Sequence, residues 1–251
     1  MTKRADIIWL EMVDSTNDEA RRHISEIDNL SVVSAFSQSA GRGQRGNTWS
    51  AKAGENLTFS ILAKHAGIRA LDQFVISEIT ALSVVDLLAI HGINARIKWP
   101  NDIYFKDKKI AGILIKNEIK GIMLGISIIG IGLNINQTDF SDDIPNPISM
   151  KMITGKDYDL TATLSDICEE IKIQQTTFGK LCEDQNFQPS NFVFQTYTKH
   201  LYRYRQWALY EHNGGVKELM IIGFDKFGRL VLKEKNDREV VCDLKEISFK
   251  V

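Results

Sequence analysis

Two apolar periodicities trade places along this chain and divide it into elements. Ile7 to Met12 reads as a short strand. Thr16 and Glu19 have the spacing of a capping box, which predicts a helix running from there to about Ile27. Val32 to Gln38 is a β-branched run, and Leu57, Phe59 and Ile61 alternate as a half-buried strand does. From Leu71 to Ile90 the apolar positions (Leu71, Phe74, Val75, Ile79, Leu82, Leu88) shift to helical spacing, and Gly92 supplies a stop.

Strand signals return after Ala95. Arg96 to Trp99 precedes the turn signal Pro100-Asn101. Ile103 to Phe105, Ile110 to Ile115 and Ile122 to Ile131 follow as strands with charged tips between them. Residues 137 to 159 are acidic and loop-rich. Leu160, Leu164, Ile167, Cys168, Ile171, Phe178 and Leu181 mark a long amphipathic helix. From Gln206 onward short strands alternate with turns at Asn213-Gly214-Gly215, Asp225 to Gly228 and Lys235 to Asp237, the spacing of a small antiparallel barrel of about five strands. The pattern is α+β, a mixed sheet with helices followed by a small β-barrel. The seam falls between 185 and 205, which divides the chain into domains 1–195 and 196–251.

Composition narrows the classes. The chain has 251 residues, a formal net charge of −1, 43% hydrophobic and 25% charged residues, which excludes wholesale disorder. A balanced charge removes the simplest argument for a nucleic-acid binder, so no DNA partner is expected. The stretch from Gly121 to Ile135 is shorter than the ~20 residues of a spanning helix and is broken by glycines, so it reads as buried strand. Glu11 and Asp14 cut the N-terminal apolar run too short for a signal-peptide core. No membrane association is therefore expected. Cys168, Cys182 and Cys242 form no CxxC pair, and the histidines form no HExxH. A reducing cytoplasm is the expected setting.

Three clusters carry candidate chemistry. Gly41-Arg42-Gly43-Gln44-Arg45-Gly46 contains G-x-G-x-x-G, but a strand rather than a helix follows it, so it is not a dinucleotide fingerprint. A Walker loop would need Gly-Lys-Ser/Thr, and the companion motifs of a protein kinase are missing. What remains is a glycine-rich loop with guanidinium forks suited to carboxylate or phosphate, or else a solvated hairpin. Lys98-Trp99-Pro100-Asn101-Asp102 and Lys109-Ile110-Ala111-Gly112 form a locally basic stretch, where a lysine beside a small residue can hold an anion. Asp102 could orient an amine or bind Mg²⁺. The third cluster is Gly130-Ile131-Gly132-Leu133-Asn134, where glycines let backbone approach a ligand and an asparagine amide can pair with a base. Ser15 or Thr16 caps the first helix.

Taken together and in order, these motifs resemble the biotin protein ligases, also called biotin–acetyl-CoA-carboxylase ligases. The resemblance covers nearly the whole chain. It rests on Ser15-Thr16-Asn17, on Gln38 with the loop from Gly41 to Trp49, on 98–102, on 109–112 and on 130–134. It implies a class II synthetase-like biotin/lipoate ligase catalytic domain with an SH3-like β-barrel. It implies the formation of biotinyl-5′-AMP from biotin and Mg²⁺·ATP, then transfer to one lysine of a biotin carboxyl carrier protein. By resemblance, Lys109, Arg42 and Asp102 are the catalytic candidates. Ser15, Thr16, Asn17, Gln38, Gly41, Arg42, Gly43, Gln44, Lys109 and Gly112 match the biotin side. Arg45, Trp49, Asn101, Gly132 and Asn134 match the nucleotide side.

The chain departs from the family pattern at Gln44, where many relatives carry arginine, and at Lys116, where many carry glutamate. The loop from 41 to 50 is expected to be mobile without ligand. The chain starts a few residues before its first strand, so a ligase without operator binding is expected. A homodimer through sheet edges is implied for such relatives. The competing readings are a lipoate or octanoate ligase or transferase, a non-catalytic biotin sensor, and a nucleic-acid module built on Lys199, Tyr202, Arg203, Tyr204, Arg205 and Trp207.

Overall fold

A computed structural model describes residues 7–181 and 194–250, apart from the side chains of Arg45 and of residues 179–181. Its larger sheet contains β1 (Ile7–Val13), β2 (Val32–Gln38), β3 (Leu57–Lys64), β4 (Arg96–Lys98), β5 (Asp102–Phe105), β6 (Lys108–Lys120) and β7 (Met123–Leu133). Their order across the sheet is β1-β2-β3-β7-β6-β5-β4. β1 and β2 run parallel, and the remaining neighbours are antiparallel. A parallel pair needs a crossover, which α1 (Thr16–Arg22) provides.

Strand alternation explains why this sheet has two different faces. Leu57, Phe59 and Ile61 of β3, with Ile129 and Ile131 of β7, belong to the main core under α2 (Phe74–Ile90) and α4 (Leu160–Leu181). The intervening positions point the other way. On that second face Leu62 and Ile128 pack with Ala20 of α1. Further along the same face stand Thr58 and Ser60, and Gly130 and Gly132. Gly112 joins them because it sits directly opposite Gly132 in the β6–β7 register. Small and polar positions on strands otherwise rich in isoleucine leave a hollow there. β3 is thus buried on both faces from Leu57 to Ala63, not half-buried as its alternation suggested.

Other boundaries also shift. α1 stops at Arg22, and residues 23–27 form turns instead of continuing the helix to Ile27. The capping box does not form: Ser15 is the N-cap without a side-chain cap bond, and Glu19 pairs instead with Arg22 and His23. Leu71 lies in a 3₁₀ turn before α2 and is exposed. α2 itself is buried around nearly its whole circumference. That explains why the segment Ala70–Ile90 is long and apolar enough to cross a membrane by composition while lying inside the core. The loop-rich stretch 137–159 includes a short helix, α3 (Met150–Thr154), capped by Ser149.

The C-terminal part is the expected five-stranded antiparallel sheet of SH3-like form. It comprises β8 (Trp207–His212), β9 (Gly215–Phe224), β10 (Leu230–Lys233), β11 (Glu239–Cys242) and β12 (Ile247–Phe249), in the order β11-β10-β9-β8-β12. It docks on the larger sheet through the Trp99 Nε1 donor to Gly228 O at 2.8 Å. Phe224 also packs there, on Phe74 and on Tyr197 of α5 (Phe194–Lys199). Residues 185–193 of the expected seam lie outside the described residues, as does Cys182. Cys168 and Cys242 are buried free thiols.

Candidate functional site

The hollow on the α1 face is a cleft. Ser15, Thr16, Asn17, Gln38, Arg42, Gly43, Gln44, Trp49, Asn101, Lys109, Gly112 and Gly132 all line it, with Thr58, Ile113, Leu114, Gly130 and Ile131. Residues from six separated segments meet there because the strands that carry or flank them are neighbours in the sheet.

One end is polar and tightly bonded. Gln38 Oε1 accepts from the Thr16 N–H at 2.8 Å. The Ser60 hydroxyl lies 2.8 Å from Thr16 Oγ1 and 2.7 Å from Asn17 Oδ1. Asn17 Nδ2 donates to Leu114 O at 3.2 Å. Thr16, Asn17 and Ser60 are buried and Gln38 is half-buried, so their mutual bonds fix the side chains before any ligand arrives. A Cβ on Gly130 would fall under 3.0 Å from the Asn17 amide, so this approach needs glycine.

The middle is cationic. Lys109 Nζ lies 2.7 Å from Asp102 Oδ1 and 5.5 Å from the Trp49 ring centroid. Arg42 Nε reaches Asp18 Oδ2 at 2.6 Å, and Lys116 Nζ reaches the other oxygen of Asp18 at 2.9 Å. The lysine that departs from the family pattern is therefore neutralised from α1, which leaves Arg42 sharing its partner. Asp102 does not line the cleft itself; it stands behind Lys109.

The far end is closed by Trp49. The loop returns on itself through Trp49 N–H to Gly41 O at 3.0 Å and Gly43 N–H to Asn47 O at 2.6 Å. This drops the indole against Gly112 and Gly132. Its Nε1 is buried and has no hydrogen-bond partner among the described residues. Asn101 is held by Nδ2 donating to Ile113 O at 2.7 Å.

Three residues singled out in the sequence, Gly41, Asp102 and Asn134, are not among those that line the cleft. Gly41 serves loop closure. Asn134 is 3% exposed and donates its amide to Ile148 O at 3.0 Å, so it ties down the 146–150 segment. Arg45 lies in the 3₁₀ turn Gln44–Gly46, and its side chain is outside the described atoms. Conversely, sequence reasoning missed Asp18, Thr58 and Ser60. The signal for the last two was present: polar residues at alternate positions of an apolar strand. Asp18 carried none, since an acid in a first helical turn is ordinary.

The arrangement suits an elongated ligand with a polar head, an anionic middle and a flat far end. Known proteins agree with it. Residues 9–134 match the family model described as the Biotin/lipoate A/B protein ligase family. A biotin--[acetyl-CoA-carboxylase] ligase of Paracoccus denitrificans is 36% identical over 129 residues, covering 50% of this chain and 53% of that protein. The bifunctional ligase/repressor BirA of Bacillus spizizenii is 30% identical over 169 residues, 64% of this chain and 51% of its own length. The chain thus spans about half the length of these curated relatives. The structure of biotin protein ligase from Aquifex aeolicus in complex with biotin and ATP superposes with a TM-score of 0.78 at 24% identity, covering 98% of each chain.

Proposed function

The chain belongs to the Biotin/lipoate A/B protein ligase family, and from that premise we propose that it is a biotin protein ligase. It activates biotin with Mg²⁺·ATP and passes the biotinyl group to a lysine of a biotin carboxyl carrier protein. The observation that carries this reading is the single cleft. There the bonded Ser15–Asn17 and Gln38 pocket, the Lys109 and Arg42 cations and the Trp49 indole lie in series.

The chemistry follows from the charges. In the first half-reaction a carboxylate oxygen attacks the α-phosphorus and pyrophosphate leaves. Two anions approach each other, so fixed cations matter most as charge builds in the transition state. Lys109, aimed by Asp102, and Arg42, aimed by Asp18, are placed to serve there. Ser15, Thr16, Asn17 and Gln38 hold the polar ring of biotin, while Gly43, Gln44 and Gly112 shape the slot and Gly41 closes the loop beside it. Trp49, Asn101 and Gly132 face the nucleotide, with Arg45 on the same loop; Asn134 supports the slot from behind.

Among the described residues no cluster of three acidic, histidine or cysteine side chains could hold a metal ion. Mg²⁺ would come to the cleft on the phosphates of ATP, as it commonly does at nucleotide sites. In the second half-reaction the lysine amine attacks the acyl carbon and AMP leaves. Asp102 is the carboxylate nearest Lys109 and is suited to orient the incoming amine. A groove continues from Gln44 and Asn101 past Trp99 to Phe227 and Arg229 of the smaller sheet and offers the carrier a path.

The same reading assigns residues 1–195 to catalysis and 196–251 to the small barrel. It places the protein in the cytoplasm, without DNA or membrane partners. β1 is the open edge of the larger sheet and is where a homodimer would pair. ATP–pyrophosphate exchange with biotin, lipoate and octanoate in separate reactions tests the proposal. Exchange with biotin alone is the expected result. Exchange with lipoate or octanoate instead would move the chain to the other branch of the family.

A further inference from the structure

The basic, aromatic segment around residue 200 is not used by the cleft, yet it builds a second concave site. β4 is the last strand of the larger sheet, and its outer edge is covered by the 200–202 segment. Ile97 N–H donates to His200 O and Tyr202 N–H to Ile97 O, each at 2.8 Å. The pairing creates a groove lined by Arg96, Lys106, Asp107, Lys199, Tyr202 and Arg203.

Its charges are unbalanced. Lys109, Lys116 and Lys151 each have a carboxylate within 3.0 Å. Among the described residues, none of Arg96, Lys106, Lys199 or Arg203 has one within the 4.0 Å of an ion pair. Asp107, the one acid in the groove, accepts a hydrogen bond from the Tyr202 hydroxyl. Lys98 lies under the same surface, and burial holds its ammonium below the usual lysine range. The residues are also held at a backbone cost. Lys106 and Arg203 have φ of 53° and 60°, left-handed conformations that glycine or asparagine adopts more readily. Strained non-glycine residues concentrate at functional positions. Arg203 is fixed further by Nη1 donating to Lys250 O at 2.7 Å.

The aromatic rings decide which anion fits. A single-strand binder needs open ring faces for its bases. Here the Tyr202 ring is 9% exposed, tilted against Tyr104, and has the Arg203 guanidinium 4.9 Å from its centroid. Tyr204 carries Arg205 in the same way. The two rings that line the groove therefore brace guanidinium groups rather than offering open faces to bases, and the exposed Trp207 lies outside the groove. Four cations lining one groove exceed what one monovalent anion needs, and guanidinium forks match phosphoryl oxygens.

We infer that this groove is a binding site for a small polyphosphate anion, separate from the cleft. The test is calorimetric titration of the full chain with inorganic tripolyphosphate, inorganic phosphate and a single-stranded oligonucleotide in parallel. Saturable tripolyphosphate binding is expected, weakened at least about 10-fold by Arg96→Ala combined with Lys199→Ala, the loss of one charged contact being worth a factor of that order. Lys199→Glu, a change at one exposed side chain, should weaken it as well. Lys109→Ala should leave it unchanged. The inference is overturned if the groove variants bind as the parent does, if Lys109→Ala alone abolishes binding, or if the oligonucleotide binds more tightly than tripolyphosphate.

Discussion

The Trp49 indole lies so close over Gly132 that any side chain at 132 would meet it: a Cβ built there falls under 3.0 Å from the ring. Gly132 is therefore a seat for the indole as well as a close-packed point of β7. Gly132→Ala should expel Trp49 from the slot, at a cost of about 1–3 kcal/mol typical of overpacking. The expected outcome is a red-shifted Trp49 emission, isolated by comparison with a Trp49→Phe control. ATP affinity should fall by about 10-fold or more with biotin affinity much less affected. Unchanged emission and ATP binding would show that the ring does not depend on that seat.

Ser60 reaches two cleft residues from a strand with which neither is contiguous, through contacts of 2.8 Å to Thr16 and 2.7 Å to Asn17. Ser60→Ala leaves both without that partner in a buried setting, worth about 1–3 kcal/mol. Biotin affinity should fall by roughly 5- to 100-fold, while exchange at saturating biotin stays near the parent rate, because the loss lies in ground-state binding. Calorimetry with biotin and exchange kinetics check the two parts separately.

Asp18 holds Arg42 and Lys116 at once. Arg42 is the only one of the pair on the glycine-rich loop, so Asp18 acts as the anchor of that loop to α1. Such half-exposed pairs contribute about 0–1 kcal/mol, too little to keep a loop permanently closed. Residues 41–50 should therefore exchange amide hydrogens readily in the free protein and become protected with biotin. Asp18→Asn should speed exchange in that segment without lowering the melting temperature. Equal protection with and without biotin would remove the closure step.

Lys109 sits between Asp102 and the Trp49 ring, where the reacting groups of an adenylation would meet. Lys109→Ala should lower the exchange rate by about 100- to 1,000-fold, the scale of losing one charge-stabilising donor, while biotin binding changes by less than about 10-fold. Wild-type exchange in this variant would take Lys109 out of the mechanism.

Much of this cleft was readable because its motifs sit at strand ends, where side-chain direction follows from alternation. Ser15, Thr16, Gln38, Trp49, Lys109 and Gly132 all reach it. Asn134 was readable as a residue but not as a role: only the fold shows that its amide is taken by the Ile148 carbonyl. Ser60 was visible as a polar position on an apolar strand, but its partners followed only from β3 lying beside α1; those of Asp18 followed only from β6 and the glycine-rich loop meeting α1, long-range pairings that local periodicity does not carry. The first helix ended early for a similar reason. The crossover has to deliver the chain to Val32 beside Ile7, and the turns at 23–27 do so where a longer helix would overshoot.

Glu78 gives the protein a pH dependence of a defined sign. It lies in α2, 2% exposed, beside a small cavity lined by Phe74, Phe194 and Phe224, with Asp72, Asp225 and Lys226 at its rim. Its Oε1 and the Tyr197 hydroxyl are both buried without hydrogen-bond partners among the described residues. Burial pushes the carboxyl up to about 8 from an ordinary 4.5. Between those values the folded protein keeps a proton that the unfolded chain has lost. Stability then falls as pH rises, by about 1.4 kcal/mol per unit for one such group, and levels off above 8. His65 has the opposite sign: burial holds it down to about 4 from 6.5, so it removes stability as pH drops through that range. The two slopes oppose each other at acid pH; above 6.5 that of His65 ends, and the slope of Glu78 has the same sign as that of the exposed His23, which its Glu26 partner raises from 6.5. The melting temperature should drop by roughly 4–8 °C between pH 6.5 and 8. Glu78→Gln, which keeps the shape and removes the titration, should flatten the profile there and raise stability at pH 8. A Glu78→Gln protein that still loses stability from 6.5 to 8 as the parent does would place the titrating group elsewhere.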